Sequence, residues 1–128
     1  MATTIRAAHY PGRSPIAAYG NGGFRFAGMS HRGSLLCLPS GIHGWRDAPL
    51  PESLDVASLA PVFAEADAIE VLLVGTGREL RPLPKAVLER CRAEKIVAEA
   101  MATGAAVRTF NVLLAEERAV AAALLAVD

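Results

Sequence analysis

From Ser58 onward the chain alternates short apolar runs with segments of helical spacing, and this alternation constrains the fold more than any other feature. Ile69–Val74 (IEVLLV) is too short for a core helix and carries one charge, the pattern of a strand covered on both faces. Gly75-Thr76-Gly77 ends it. Upstream, Ser58 reads as a helix N-cap, Pro61 falls in the first turn, and Leu59, Val62, Phe63 and Ala66 share one face. Downstream, Pro82 and Pro84 precede a helix over Lys85–Glu94, with Val87, Leu88 and Cys91 at helical spacing. Ile96–Ala100 reads as a strand. Thr103 reads as the cap of a helix running to about Ala115, with Ala106, Phe110, Leu113 and Leu114 inward. Ala119–Val127 favours helix by propensity. A parallel sheet requires each helix to return to it, however, so a strand is predicted there.

The first third reads as antiparallel β structure. Ile16–Tyr19 and Phe24–Ala27 flank Gly20-Asn21-Gly22-Gly23, a sequence suited to a tight hairpin. Met29–Gly33 reads as a turn, Ser34–Leu38 as a short buried strand, and Ile42–Trp45 as its resumption after Pro39-Ser40-Gly41. Residues 46–57 form a proline-bearing linker inside one domain spanning 1–128, with 1–15 as a poorly ordered or extended arm. Phe26, Leu36, Leu72, Leu88 and Phe110 are the expected core.

Lys+Arg and Asp+Glu number 13 each and aromatic residues make up 5%, so neither a phosphate-neutralising basic excess nor a base-stacking platform is visible. Nucleic-acid binding is not expected. The N-terminal residues lack an apolar signal core, and Ala119–Val127 falls short of the roughly 20 residues of a membrane helix. A soluble cytoplasmic protein without a transmembrane segment is expected. The mean hydropathy of +0.31 has two readings, an alanine-rich composition or apolar surface covered by a partner or second copy. Cys37 and Cys91 each lie in apolar surroundings and read as buried thiols.

Candidate chemistry is sparse. Gly75-Thr76-Gly77 follows a buried strand as a dinucleotide loop does, but Leu80 stands where the third glycine belongs, so a turn is the better reading. Thr103-Gly104-Ala105-Ala106-Val107-Arg108-Thr109 opens a helix behind a strand, placing free amides and the positive dipole end beside Arg108, with Asn111 further along. It reads as an anion or ligand site, or as an ordinary capped helix with Arg108 solvated or paired. If the strands before these two loops are parallel neighbours, Thr76 and Thr103 meet at one sheet edge. His9, His31 and His43 show no metal spacing, the serines no nucleophile elbow, and Glu70 reads as a salt-bridge partner. No catalytic residue, metal or cofactor is assigned. Trp45, at a sheet edge near Ile42–Trp45, is the expected anchor for a partner or second copy.

Four stretches, Gly20–Trp45, Ile69–Gly77, Arg81–Ile96 and Met101–Ala126, carry a specific combination of motifs. These are G-x-G-G-F-x-F, a strand followed by G-T-G, and T-G-A-A-x-R-T-x-N. Together they resemble a little-characterised domain family, one that contains the mitochondrial respiratory complex I assembly factor 3 and the adipogenesis-associated conserved-domain protein. The resemblance covers nearly the whole chain from about Ile16. It implies a three-layer α/β fold with a central mixed sheet, and protein partners that include membrane respiratory-complex subunits. It establishes no catalytic residues, and without an Arg-rich presequence the chain is expected to be a bacterial cytoplasmic member. Val107 stands where many bacterial relatives are expected to have cysteine. The resemblance and the missing catalytic constellation together point to a non-enzymatic interaction or assembly-factor-like protein, with a small-molecule or anion-binding protein, weakly enzymatic at most, as the alternative.

Overall fold

A computed structural model describes residues 9–128. Its elements in chain order are β1 (His9–Tyr10), β2 (Ile16–Gly20), β3 (Gly23–Phe26), β4 (Met29–Arg32), β5 (Leu35–Leu38), β6 (Gly41–Gly44), α1 (Ala60–Phe63), β7 (Val71–Gly75), α2 (Lys85–Ala93), β8 (Val97–Met101), α3 (Thr103–Ala115) and β9 (Val120–Leu124). A six-stranded mixed sheet runs β1-β6-β5-β9-β7-β8, and β2-β3-β4 form a separate antiparallel sheet. The strands β9, β7 and β8 are parallel to one another, whereas β5 is antiparallel to both β9 and β6.

The large sheet divides two cores. On one face Leu36, Leu72, Val74, Ala121 and Ala123 pack with Val62 and Phe63 of α1 and Val87 and Cys91 of α2. On the other, Leu35, Cys37, Leu73, Ala122 and Leu124 pack with Ala106, Val107 and Phe110 of α3 and with Phe24 and Phe26 of the small sheet. Three layers result, as expected. The strand Val120–Leu124 is buried at every residue, which is why its helical propensity yields: only an apolar run covered from both sides fits that central position. Its alanines bring both covering layers close to the sheet.

Several expectations are corrected. Met29–Arg32 is a strand, not a turn, because Ala27 and Gly28 alone make the reversal, with φ of 49° and 75°. Both central residues at positive φ define the hairpin turn that matches strand twist, and alanine rarely signals it. The expected hairpin at Asn21-Gly22 uses the same geometry, at φ 53° and 79°. Ser58 does not cap a long helix. Asp55 and Ser58 exchange reciprocal side-chain-to-amide bonds at 2.8 and 3.2 Å, and the helical segment beyond is a single α turn between short 3-10 turns. Leu88 is 41% exposed rather than core, whereas Phe26, Leu36, Leu72 and Phe110 are buried. Of the arm expected over 1–15, residues 1–8 lie outside the described residues, and His9–Tyr10 form β1 against β6.

Trp45 is corrected as well. It is 5% exposed, packs in the core on the α1 side, and its indole N–H donates to Ser58 O at 3.0 Å. The chain after it folds back over the ring, and β1 pairs with the β6 edge. Among the described residues, the longer open edge lies at the other end of the sheet, where β8 has β7 on one side only.

Candidate functional site

The parallel arrangement of β7 and β8 brings the glycine turn and the start of α3 to the same end of the sheet. Thr76 and Thr103 meet there, both buried. The Gly77 amide donates to Thr103 Oγ1 at 3.0 Å, and the Thr103 amide donates to Gly77 O at 2.8 Å. Thr103 Oγ1 donates in turn to Leu125 O at 2.7 Å. The Thr76 hydroxyl lies 2.7 Å from Glu79 O and 3.1 Å from Met101 O, and accepts from the Arg81 amide at 3.0 Å. The two threonines thus knit three chain segments together. Thr103 is the first residue of α3, with Ala102 at the cap position and no side-chain cap, so its hydroxyl serves the neighbouring loops instead.

The remaining candidates separate. Gly104 is in the first turn of α3, and a Cβ there would overlap the phenol of Tyr19, which therefore stands over this helix start. Arg108 is exposed and five residues into the helix, about 7.5 Å of rise from its beginning. Thr109 is half-buried. Asn111 holds β2 onto α3: its Oδ1 accepts from the Ile16 amide at 2.8 Å and its Nδ2 donates to Ile16 O at 2.9 Å. It acts as a short extra rung of backbone pairing. Val107 is buried among apolar neighbours, so a thiol at this position would face the core. A shallow cavity of about 340 Å³ opens beside the glycine turn. Arg78 and Arg81 line it together with Glu79 and Asp128, so opposite charges offset one another across it.

Sequence reasoning missed a second polar cluster, at the β5–β6 turn. Ser40 Oγ donates to Glu65 Oε2 at 2.6 Å and lies 3.0 Å from His43 Nε2, while the Ser40 amide donates to Glu65 Oε1 at 2.8 Å. The hydroxyl proton is directed at the carboxylate, so His43 is not placed to remove it, and the cluster ties the turn to the residues after α1. The only signal for it was Ser40 and His43 in i, i+3 spacing around a glycine turn.

His43 pairs across the ladder with His9, ring centroids 5.1 Å apart. Burial, followed by the charge of His9, lowers the His43 pKa, and Glu65 opposes them. A histidine with a depressed folded pKa contributes stability in full above its unfolded value, about 6.5, and loses it as pH falls through the folded pKa. Wild type is expected to lose stability as pH drops below about 6.5, and His43→Gln to lose less over the same interval. Urea denaturation of both proteins between pH 7.5 and 5 (roughly, bracketing that value) checks this, and parallel pH curves would refute it.

The two cysteines are free and lie on opposite faces of the large sheet. Burial pushes the Cys37 thiol up to about 12 and raises that of Cys91, so both stay protonated and unreactive at neutral pH. Glu70 forms a surface ion pair with Arg118 at 2.7 Å. Among the described residues, no helix is long and apolar enough to cross a membrane.

An uncharacterised protein of Rhodobacter capsulatus is 41% identical over 91% of this chain and 87% of its own length. The NADH dehydrogenase [ubiquinone] 1 alpha subcomplex assembly factor 3 of Danio rerio is 34% identical over 86% of this chain. The match spans 63% of that assembly factor. The crystal structure of an outer membrane protein from Bartonella henselae superposes with a TM-score of 0.89 at 57% identity, covering 94% of this chain and 100% of that one. Residues 16–125 match the family described as "Protein of unknown function (DUF498/DUF598)", and the chain belongs to that family.

Proposed function

We propose that this chain is a non-enzymatic protein-interaction protein that assists assembly of a respiratory NADH dehydrogenase, with subunits of that complex as its partners. The observation that carries the reading is its 34% identity to an assembly factor for such a complex, sustained over 86% of the chain. The site geometry supports it. The buried hydroxyls of Thr76 and Thr103 are engaged with backbone groups of their own fold, a structural use rather than a chemical one. We place the protein in the cytoplasm, working on complex subunits from that side.

Affinity capture from the native host under non-denaturing conditions tests this. Expected is co-purification of NADH dehydrogenase subunits or partly assembled subcomplexes, with the free pool in the cytoplasmic fraction. Isolation of a clean monomer retaining a small molecule would overturn it in favour of a ligand-binding protein, whose site would then lie around Thr76, Gly77 and Gly104.

A further inference from the structure

Among the described residues, β8 is the longer of the two open edges of the six-stranded sheet, five residues against the two of β1. The Val97 amide donates to Glu70 O and Met101 O accepts from the Thr76 amide, so residues 97, 99 and 101 face β7. By the alternation of a parallel ladder, Ala98 and Ala100 turn their N–H and C=O groups outward. Neither methyl group shields them. An edge of this kind is a template for one more strand.

Beside it, at the start of β8, a groove of about 410 Å³ runs along the flank of α2. Leu88, 41% exposed, supplies apolar surface in it. Arg92 and Lys95 supply its charge, with no acidic residue in the lining. Among the described residues, neither cation is in an ion pair, since Arg90 takes Glu94 and Arg118 takes Glu70.

We infer that β8 and this groove bind an extended segment of a partner protein, which adds as a seventh strand and carries an acidic residue beside its apolar ones. The inference rests on the interaction reading above and names its surface. Backbone pairing at Ala98 and Ala100 would supply affinity, Leu88 beside Ala98 would take an apolar side chain, and Arg92 with Lys95 would select acid over base. A second copy of this chain fits less well. Two-fold pairing of β8 with itself brings two basic grooves together, and centring it on Glu99 sets like charges opposite one another.

The direct test is an NMR titration of the intact protein with two synthetic peptides, Glu-Val-Thr-Val-Glu and Lys-Val-Thr-Val-Lys, both capped at their ends. Expected are shifts at the Ala98 and Ala100 amides and the Leu88 methyls, with the lysine peptide about five- to tenfold weaker. Arg92→Glu combined with Lys95→Glu should reverse that order. Ala98→Pro should abolish binding while the fold survives, because a proline whose N–H would face outward is tolerated at an edge. Shifts elsewhere, equal binding of the two peptides, or no binding would each overturn the proposal. So would a wild-type dimer that Ala98→Pro makes monomeric, since the occupant would then be a second copy. Capture with the same variants separates the two levels. If Ala98→Pro retains every NADH dehydrogenase subunit that wild type brings down, the edge proposal fails and the assembly reading stands. If wild type captures none, the assembly reading fails.

Discussion

Leu72→Ala is expected to lower the free energy of unfolding by about 2–5 kcal/mol, the range for a buried leucine truncated in place. Leu72 is 0% exposed in the central strand β7, with its side chain in the core beneath α1 and α2. Its register neighbours are Ala98 on β8 and Ala121 on β9. Those alanines have nothing to extend into the space a shorter side chain leaves. The cavity therefore persists, and the cost belongs in the upper half of the range. Leu88→Ala is the control. With 41% of its surface exposed, Leu88 should cost well under half as much. Urea denaturation with unchanged slope checks both. A loss below about 1 kcal/mol at Leu72 would show that the layers collapse onto the gap, and would remove the argument from its alanine neighbours.

The contrast between these two leucines shows what the sequence makes legible. Continuous apolar runs such as Val71–Gly75 and Val120–Leu124 declare burial on both faces, because no other environment accepts them. Within a helix, periodicity identifies a face but not its limits, and Leu88 lies just past the edge of the face marked by Val87 and Cys91. Strand order is harder still. Nothing local to Ile42–Trp45 reveals that His9–Tyr10 return to pair with it, or that the residues near Ser58 close over Trp45. Exposure of an edge is decided by segments distant in sequence, so the longer open edge among the described residues proved to be β8. The meeting of Thr76 with Thr103 was readable, because parallel strands send their following loops to one end. What those hydroxyls do there was not readable. It depends on Leu125, carried in by β9 from 22 residues further along.

That dependence makes Thr103→Val the sharper experiment. The substitution preserves shape but removes a buried hydroxyl that accepts from the Gly77 amide and donates to Leu125 O. Valine satisfies neither group. Thr103 is 0% exposed, so water does not reach its position to replace the lost bonds. A buried polar group left unpaired costs about 1–3 kcal/mol, and two of them put the expected loss at about 2–6 kcal/mol. The Thr103 amide still donates to Gly77 O, and the Leu125 amide to Gly75 O, so the junction loosens without coming apart. Hydrogen exchange should show this as faster exchange at the Gly77 amide, with the centre of β7 affected only through the global loss. Thr103→Ser keeps the hydroxyl and sheds one methyl group, so it should recover most of the stability and restore Gly77 protection. If Thr103→Val instead matches wild type within about 0.5 kcal/mol, the hydroxyl is not what ties the glycine turn to the end of β9.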